Sequence, residues 1–167
     1  MEVHLRVIYP GSFDPITFGH LDIIERAAGM FDKVLVTIAI NIHKSSIFSA
    51  DERIALIEET VSAKPWRNKV ELHTFSGLLV EFARSQKVNS IIRGVRQYSD
   101  YEYEFRMALM NRRLDKDIDT LFLMPREELT FVSGSLVREI AYWGGDLSEF
   151  VPANVAKALK NKQPDKP

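Results

Sequence analysis

A histidine at position 20 ends the run Thr17-Phe18-Gly19-His20, which itself closes the stretch Tyr9-Pro10-Gly11-Ser12-Phe13-Asp14-Pro15-Ile16. A glycine-bearing turn that leads into a helix exposes backbone N–H groups, and the helix dipole adds a partial positive charge, so the pair favours a bound phosphate. An imidazole in the first helical turn, its side chain tilted back toward the helix start, stands within reach of a phosphate oxygen held there. A hydrogen bond donated at that point strengthens as charge develops in a transition state. The structural alternative for His20 is a residue that packs beside Ile23 and Ile24 and caps the helix. The loop before it favours the chemical role.

Two further clusters carry chemistry. In Arg93-Gly94-Val95-Arg96, two guanidiniums flank a glycine, and their forked donors suit phosphate oxygens. Downstream, Glu104 borders an apolar helical stripe of Tyr101, Phe105, Ala108 and Leu109, whereas Glu102 lies past its other edge and can pair with Arg106 at i+4. A carboxylate beside a core requires a partner, from the protein or from a ligand. The run Thr130-Phe131-Val132-Ser133-Gly134-Ser135 enters another helix: Ser133 or Ser135 can cap it, and backbone N–H groups beside the glycine stay open to a β- or γ-phosphate, with Arg138 adding charge. Lys44, just past a predicted strand, would face the same cleft. His43 beside it is required by no motif.

These segments need elements to position them. Apolar, β-branched runs predict strands over residues 3–9, 33–40, 70–75, 90–93 and 120–124, and helical periodicity fills the gaps at about 51–62, 78–86, 99–113 and 135–143. A last helix is expected from Pro152 to about residue 160, after Gly144-Gly145 stops the one before. Strands alternating with helices predict an α/β fold with a doubly wound, five-stranded parallel sheet of Rossmann-like type and a C-terminal helical extension. In such sheets ligands bind at the carboxyl ends of the strands, where all three clusters fall.

Composition bounds the function. With 167 residues, 46% of them hydrophobic, the chain can bury one core, and we expect a single domain over residues 1–160 with a polar, disordered tail at 161–167. Basic and acidic residues number 22 and 23, so no global charge draws the protein to nucleic acid or membrane. The absence of cysteine excludes a disulfide framework and a thiolate nucleophile. No signal-peptide pattern opens the sequence and no run has the length of a membrane span, which makes the cytoplasm the expected location.

The pattern G-(S/T)-F-D-P-x-T-x-G-H resembles the adenylyl- and cytidylyltransferase superfamily. Followed in order by R-G-V-R, by D-Y-E-Y-E and by S-G-S-L-V-R-E, it is similar to the bacterial phosphopantetheine adenylyltransferase family from about residue 7 to residue 159. The resemblance implies transfer of AMP from ATP to 4′-phosphopantetheine by in-line attack on the α-phosphate, giving dephospho-coenzyme A and pyrophosphate, with Mg2+ bound mainly through the ATP phosphates. It implies catalytic roles for His20, Lys44 and Arg93. It implies an acceptor site of Ser12, Lys44, Leu79 and Arg93, and an ATP site of Ser12, Phe13, His20, Gly94, Val95, Arg96, Glu104, Leu129, Thr130, Phe131, Val132, Ser133, Gly134 and Ser135. A homohexamer and feedback inhibition by coenzyme A are further expectations of the resemblance.

Gly134 departs from the family pattern, which has serine there, and removes a hydroxyl, so backbone contacts are expected to dominate at that loop. Val132 for isoleucine conserves shape. Rival readings are a sister enzyme acting on nicotinate mononucleotide, a cytidylyltransferase, a nucleic-acid module built on the arginines between residues 93 and 113, and a catalytically dead sensor of coenzyme A or ATP. The second and third motifs oppose the first two, near-zero net charge opposes the third, and the intact set of His20, Lys44, Arg93 and Arg96 opposes the last.

Overall fold

A computed structural model describes residues 5–40 and 45–162. Lys44 and His43, the predicted start of the first strand and the end of the tail lie outside these residues. Strand β1 (Arg6–Gly11) leads into helix α1 (Phe18–Met30), and β2 (Lys33–Ala39) into α2 (Ala50–Val61). Then follow β3 (Val70–Phe75), α3 (Leu79–Gln86), β4 (Ser90–Gly94), α4 (Tyr98–Leu114), β5 (Asp119–Leu123), α5 (Gly134–Tyr142) and α6 (Ala153–Asn161). All pairings are parallel and the strand order is β3-β2-β1-β4-β5, so the chain reverses direction across the sheet between β1 and β4. That reversal opens a crevice at the strand carboxyl ends, where α/β sheets bind ligands.

Both faces of the sheet are covered, which is why its strands read as continuous apolar runs. Val7, Tyr9, Val34, Val36 and Ile92 join α1, α2, α5 and α6 in the larger core, while Ile8, Leu35 and Ile91 pack with Val80, Ala83 and Ile118 on the other face. Neighbours along a strand point to opposite faces, so consecutive apolar residues serve different cores.

Helix α4 corrects one expectation. Its predicted apolar stripe faces outward: Tyr101, Phe105 and Leu109 are 42%, 43% and 52% exposed, whereas Glu104 and Asn111 of the same helix are buried. The inward side is polar because Glu104 must reach Arg93 on β4, and the stripe is left on the surface beside exposed Leu121 and Met124. Glu102 does pair with Arg106, at 3.8 Å, on the exposed side. Tyr142 and Trp143 are also exposed.

Candidate active site

At the carboxyl ends of β1 and β4 lies a pocket of about 370 Å3, and the first loop, the arginine segment and the start of α5 all contribute to its wall. The first loop is held in an uncommon conformation. Phe13 has φ +45°, a left-handed backbone that a bulky residue adopts only when its surroundings impose it. Its ring is buried edge-on against Tyr9 and His20, at 5.4 Å and 5.1 Å between centroids. Gly11 is required beneath it, since a Cβ there would stand 2.9 Å from the Phe13 ring.

His20 both caps and faces the pocket. Thr17 is the N-cap of α1; its hydroxyl accepts from the His20 N–H at 3.3 Å, while His20 Nδ1 accepts from the Thr17 N–H at 3.1 Å, a reciprocal capping box. A backbone N–H can only donate, so Nδ1 carries no proton and the neutral ring holds its proton on Nε2. Burial, then the nearby charges of Arg96 and Arg93, lower the His20 pKa to about 4. The ring is therefore neutral at pH 7 and presents Nε2–H as a donor in the pocket wall, with no acceptor among the described residues. Burial also holds the neighbouring Tyr9 phenol above its ordinary range, against the pull of Arg93 and Arg96.

Arg93 is oriented by a two-point ion pair. Its Nε and Nη2 donate to the two carboxylate oxygens of Glu104 at 2.6 and 2.5 Å, and Nη1 donates to the Pro10 carbonyl at 2.9 Å. Burial pulls its pKa down, but the hydrogen bonds and charge of Glu104 more than offset that, and the net shift is upward. Three of five guanidinium N–H groups are thus engaged and two are left for an oxyanion. Arg96 donates to Asp100 at 3.0 Å and to the Val132 carbonyl at 2.9 Å, tying β4 to the loop before α5. Ser133 caps α5 by accepting from the Leu136 N–H at 3.1 Å, and the N–H groups of Gly134 and Ser135, both in the pocket lining, have no partner within the helix.

Ser12, His20, Arg93, Gly94, Arg96, Glu104, Val132, Ser133, Gly134 and Ser135 therefore share one pocket wall. Phe13 and Val95 are buried behind it, Leu129 packs against the larger core, and Thr130 and half-exposed Phe131 are not in the wall. Leu79 is not in it either; it packs at the start of α3 against the smaller core.

Sequence reasoning missed several residues that hold these parts. Buried Asp14 accepts from the N–H groups of Ile47 and Phe48, both at 2.9 Å, which fixes the chain just after residue 44, and the Asp14 carbonyl accepts from Arg138 at 2.7 Å. Asp22 receives the backbone N–H of Arg126 at 3.1 Å and pairs with its guanidinium at 2.9 Å, fastening the turn after β5 to α1. Buried Arg53 reaches the Ser12 carbonyl. The signal for Asp14 was its place in the first motif; nothing local marked Asp22 or Arg53, whose partners are distant in the chain.

Among the described residues no group of three or more His, Asp or Glu side chains stands close enough to hold a metal. Glu104 is engaged by Arg93 and Asp14 by two backbone N–H groups, so the carboxylates of the wall are already satisfied. No helix of the described residues is long and apolar enough to cross a membrane.

Residues 8–140 match the cytidylyltransferase-like family. A phosphopantetheine adenylyltransferase of Opitutus terrae is 50% identical over 153 residues, covering 92% of this chain and 94% of that protein. Another, from Clostridium perfringens strain SM101, is 46% identical over 155 residues, 93% of each. Among solved structures, Plasmodium falciparum nicotinic acid mononucleotide adenylyltransferase complexed with NaAD aligns with a TM-score of 0.73 at 15% identity, covering 95% of this chain and 96% of that one. A putative nicotinate-nucleotide adenylyltransferase from Vibrio parahaemolyticus aligns at 0.70 and 16%, covering 95% and 93%. At such identities the likeness carries the α/β fold.

Proposed function

The chain belongs to the cytidylyltransferase-like family and, within it, to the phosphopantetheine adenylyltransferases, and from that premise we propose how its pocket divides the work of the reaction. AMP passes from ATP to 4′-phosphopantetheine, giving dephospho-coenzyme A and pyrophosphate. A phosphate oxygen of the acceptor forms a bond to the α-phosphorus as the bond to the β-phosphate oxygen breaks. No covalent enzyme intermediate is required, so positioning and charge stabilisation supply the catalysis.

The observation that carries the mechanism is His20. A neutral imidazole whose Nδ1 is committed to the helix cap has one use left for its ring, donation from Nε2 to an α-phosphate oxygen as charge builds there. Arg93, held by Glu104, and Lys44 take the acceptor's phosphate, with Leu79 beside its pantetheine arm. Ser12, the Phe13 N–H, Gly94 to Arg96, Glu104 and residues 129–135 take ATP, the amides at the start of α5 receiving the triphosphate. Mg2+ fits as an ion carried by the triphosphate oxygens, whose charge it would neutralise, since the wall has no spare carboxylate set.

The outward apolar face of α4 and β5 supports assembly of the chain with copies of itself, a hexamer by family likeness, because exposed apolar area of this extent is costly on a monomer. Light scattering on the purified protein tests it. We place the reaction in the cytoplasm and expect coenzyme A, which shares the product's pantetheine and adenylyl groups, to compete at the same pocket.

Pyrophosphate release with ATP and Mg2+ tests the reaction, with 4′-phosphopantetheine, nicotinate mononucleotide or phosphocholine as acceptor. Release with phosphopantetheine alone, and a product of the mass of dephospho-coenzyme A, is expected. Release with another acceptor only would discard the acceptor site at Lys44, Leu79 and Arg93.

A further inference from the structure

Arg53 is 5% exposed, yet no carboxylate pairs with it among the described residues. Burying an unpaired cation is unfavourable, so its retention calls for a compensating role. Its donors go instead to two carbonyl oxygens, that of Ser49 at the start of its own helix, 3.2 Å from Nε, and that of Ser12 in the first loop, 2.8 Å from Nη1. A guanidinium thus ties the phosphate-side loop to α2 across 41 residues of chain.

The consequence follows from peptide geometry. The bond between Ser12 and Phe13 is trans, so its C=O and N–H point in opposite directions. With the carbonyl turned onto Arg53, the Phe13 N–H is turned away from that guanidinium, in a loop whose neighbours Gly11, Ser12 and Asp14 line the pocket. Phe13 is 1% exposed and its N–H finds no acceptor among the described residues, although buried backbone donors are almost always paired. The left-handed φ of Phe13 is what this orientation costs, and the Arg53 contact is one of the restraints that sustain it.

We propose that Arg53 is a positioning residue for adenylyl transfer: by gripping the Ser12 carbonyl it aims the Phe13 N–H at the phosphate that also receives His20 Nε2–H. Its charge, unneutralised by any described carboxylate, adds to the positive potential of a site that takes a polyanion. The inference rests on the adenylyl-transfer reading of the pocket.

The test compares Arg53→Gln, Arg53→Lys and, as a stability control, Ile57→Val, which trims a fully buried apolar side chain one turn along α2 and alters no hydrogen-bonding group. Arg53→Gln is expected to lower kcat roughly 10- to 100-fold, the scale of misplacing a catalytic donor, with the KM for 4′-phosphopantetheine within about twofold of the parent's. Arg53→Lys, which keeps the charge and N–H donors for the Ser12 carbonyl, should recover most of that loss. Ile57→Val should lower Tm and leave kcat unchanged. Equal kcat in Arg53→Gln and the parent, or equal losses in Arg53→Gln and Ile57→Val, would overturn the inference. A second readout needs no variant: with selective 15N-phenylalanine labelling, the Phe13 amide proton should move downfield when a non-hydrolysable ATP analogue binds, and an unmoved resonance overturns the proposal. A parent that turns over beside an unimpaired Arg53→Gln leaves the reaction standing and removes only this inference; a silent parent removes both.

Discussion

His20 holds two jobs on two nitrogens, and a pair of substitutions separates them. In His20→Asn the amide oxygen falls close to the place of Nδ1, so it can still accept from the Thr17 N–H and preserve the capping box, while nothing replaces Nε2–H. His20→Ala removes both. Losing the donor should lower kcat by ~10²–10⁴-fold in both variants, equivalent to about 3–5 kcal/mol of transition-state stabilisation. Losing the cap should cost only His20→Ala about 1 kcal/mol of stability. For a chain of 167 residues that is a Tm lower by ~2–4 °C than in His20→Asn. Single-turnover pyrophosphate release gives the first quantity and calorimetry the second. Near-parental turnover in His20→Asn would remove Nε2–H from the mechanism. Equal Tm values in the two variants would refute the division between capping and catalysis.

The remaining predictions concern charge and backbone. His20 has a folded pKa of about 4 against an ordinary 6.5, so between these values the unfolded chain binds more protons and stability rises with pH. The contribution is complete above pH 6.5 and is lost as pH falls toward 4, a decline of up to about 3 kcal/mol that should be absent in His20→Asn when urea midpoints are measured across this window. Arg93→Ala should weaken 4′-phosphopantetheine binding more than ATP binding by isothermal titration; the reverse order would exchange the site assignments. Glu104→Gln leaves Arg93 with a neutral partner and the Pro10 carbonyl, so its stability cost in urea titration should be about 2 kcal/mol, below the ~3–5 kcal/mol of a fully buried broken pair. Gly134→Ser should keep kcat within about threefold of the parent, because the new Cβ meets the Arg138 guanidinium at 3.4 Å and the Asp14 carbonyl at 3.5 Å, close to ordinary contact distance; a larger loss would mean that a bare backbone is required there.

The sequence by itself determined the α/β order, because strands covered on both faces read as unbroken apolar runs and the helices between them show their own period and stops. It also determined which residue types meet at the strand carboxyl ends, since the first two clusters directly follow strands and the third opens the helix after the last strand. Only the tertiary structure decided their partners. Asp14 beside residues 47 and 48 and Arg53 beneath Ser12 join segments distant in the chain, and Glu104 meets Arg93 only because α4 packs back on β4; no local pattern encodes such contacts. The α4 stripe marks the same limit from the other direction. Periodicity reveals that a helix has an apolar face, but which way that face turns depends on the neighbours it meets, and here the inward place belongs to the carboxylate that holds Arg93.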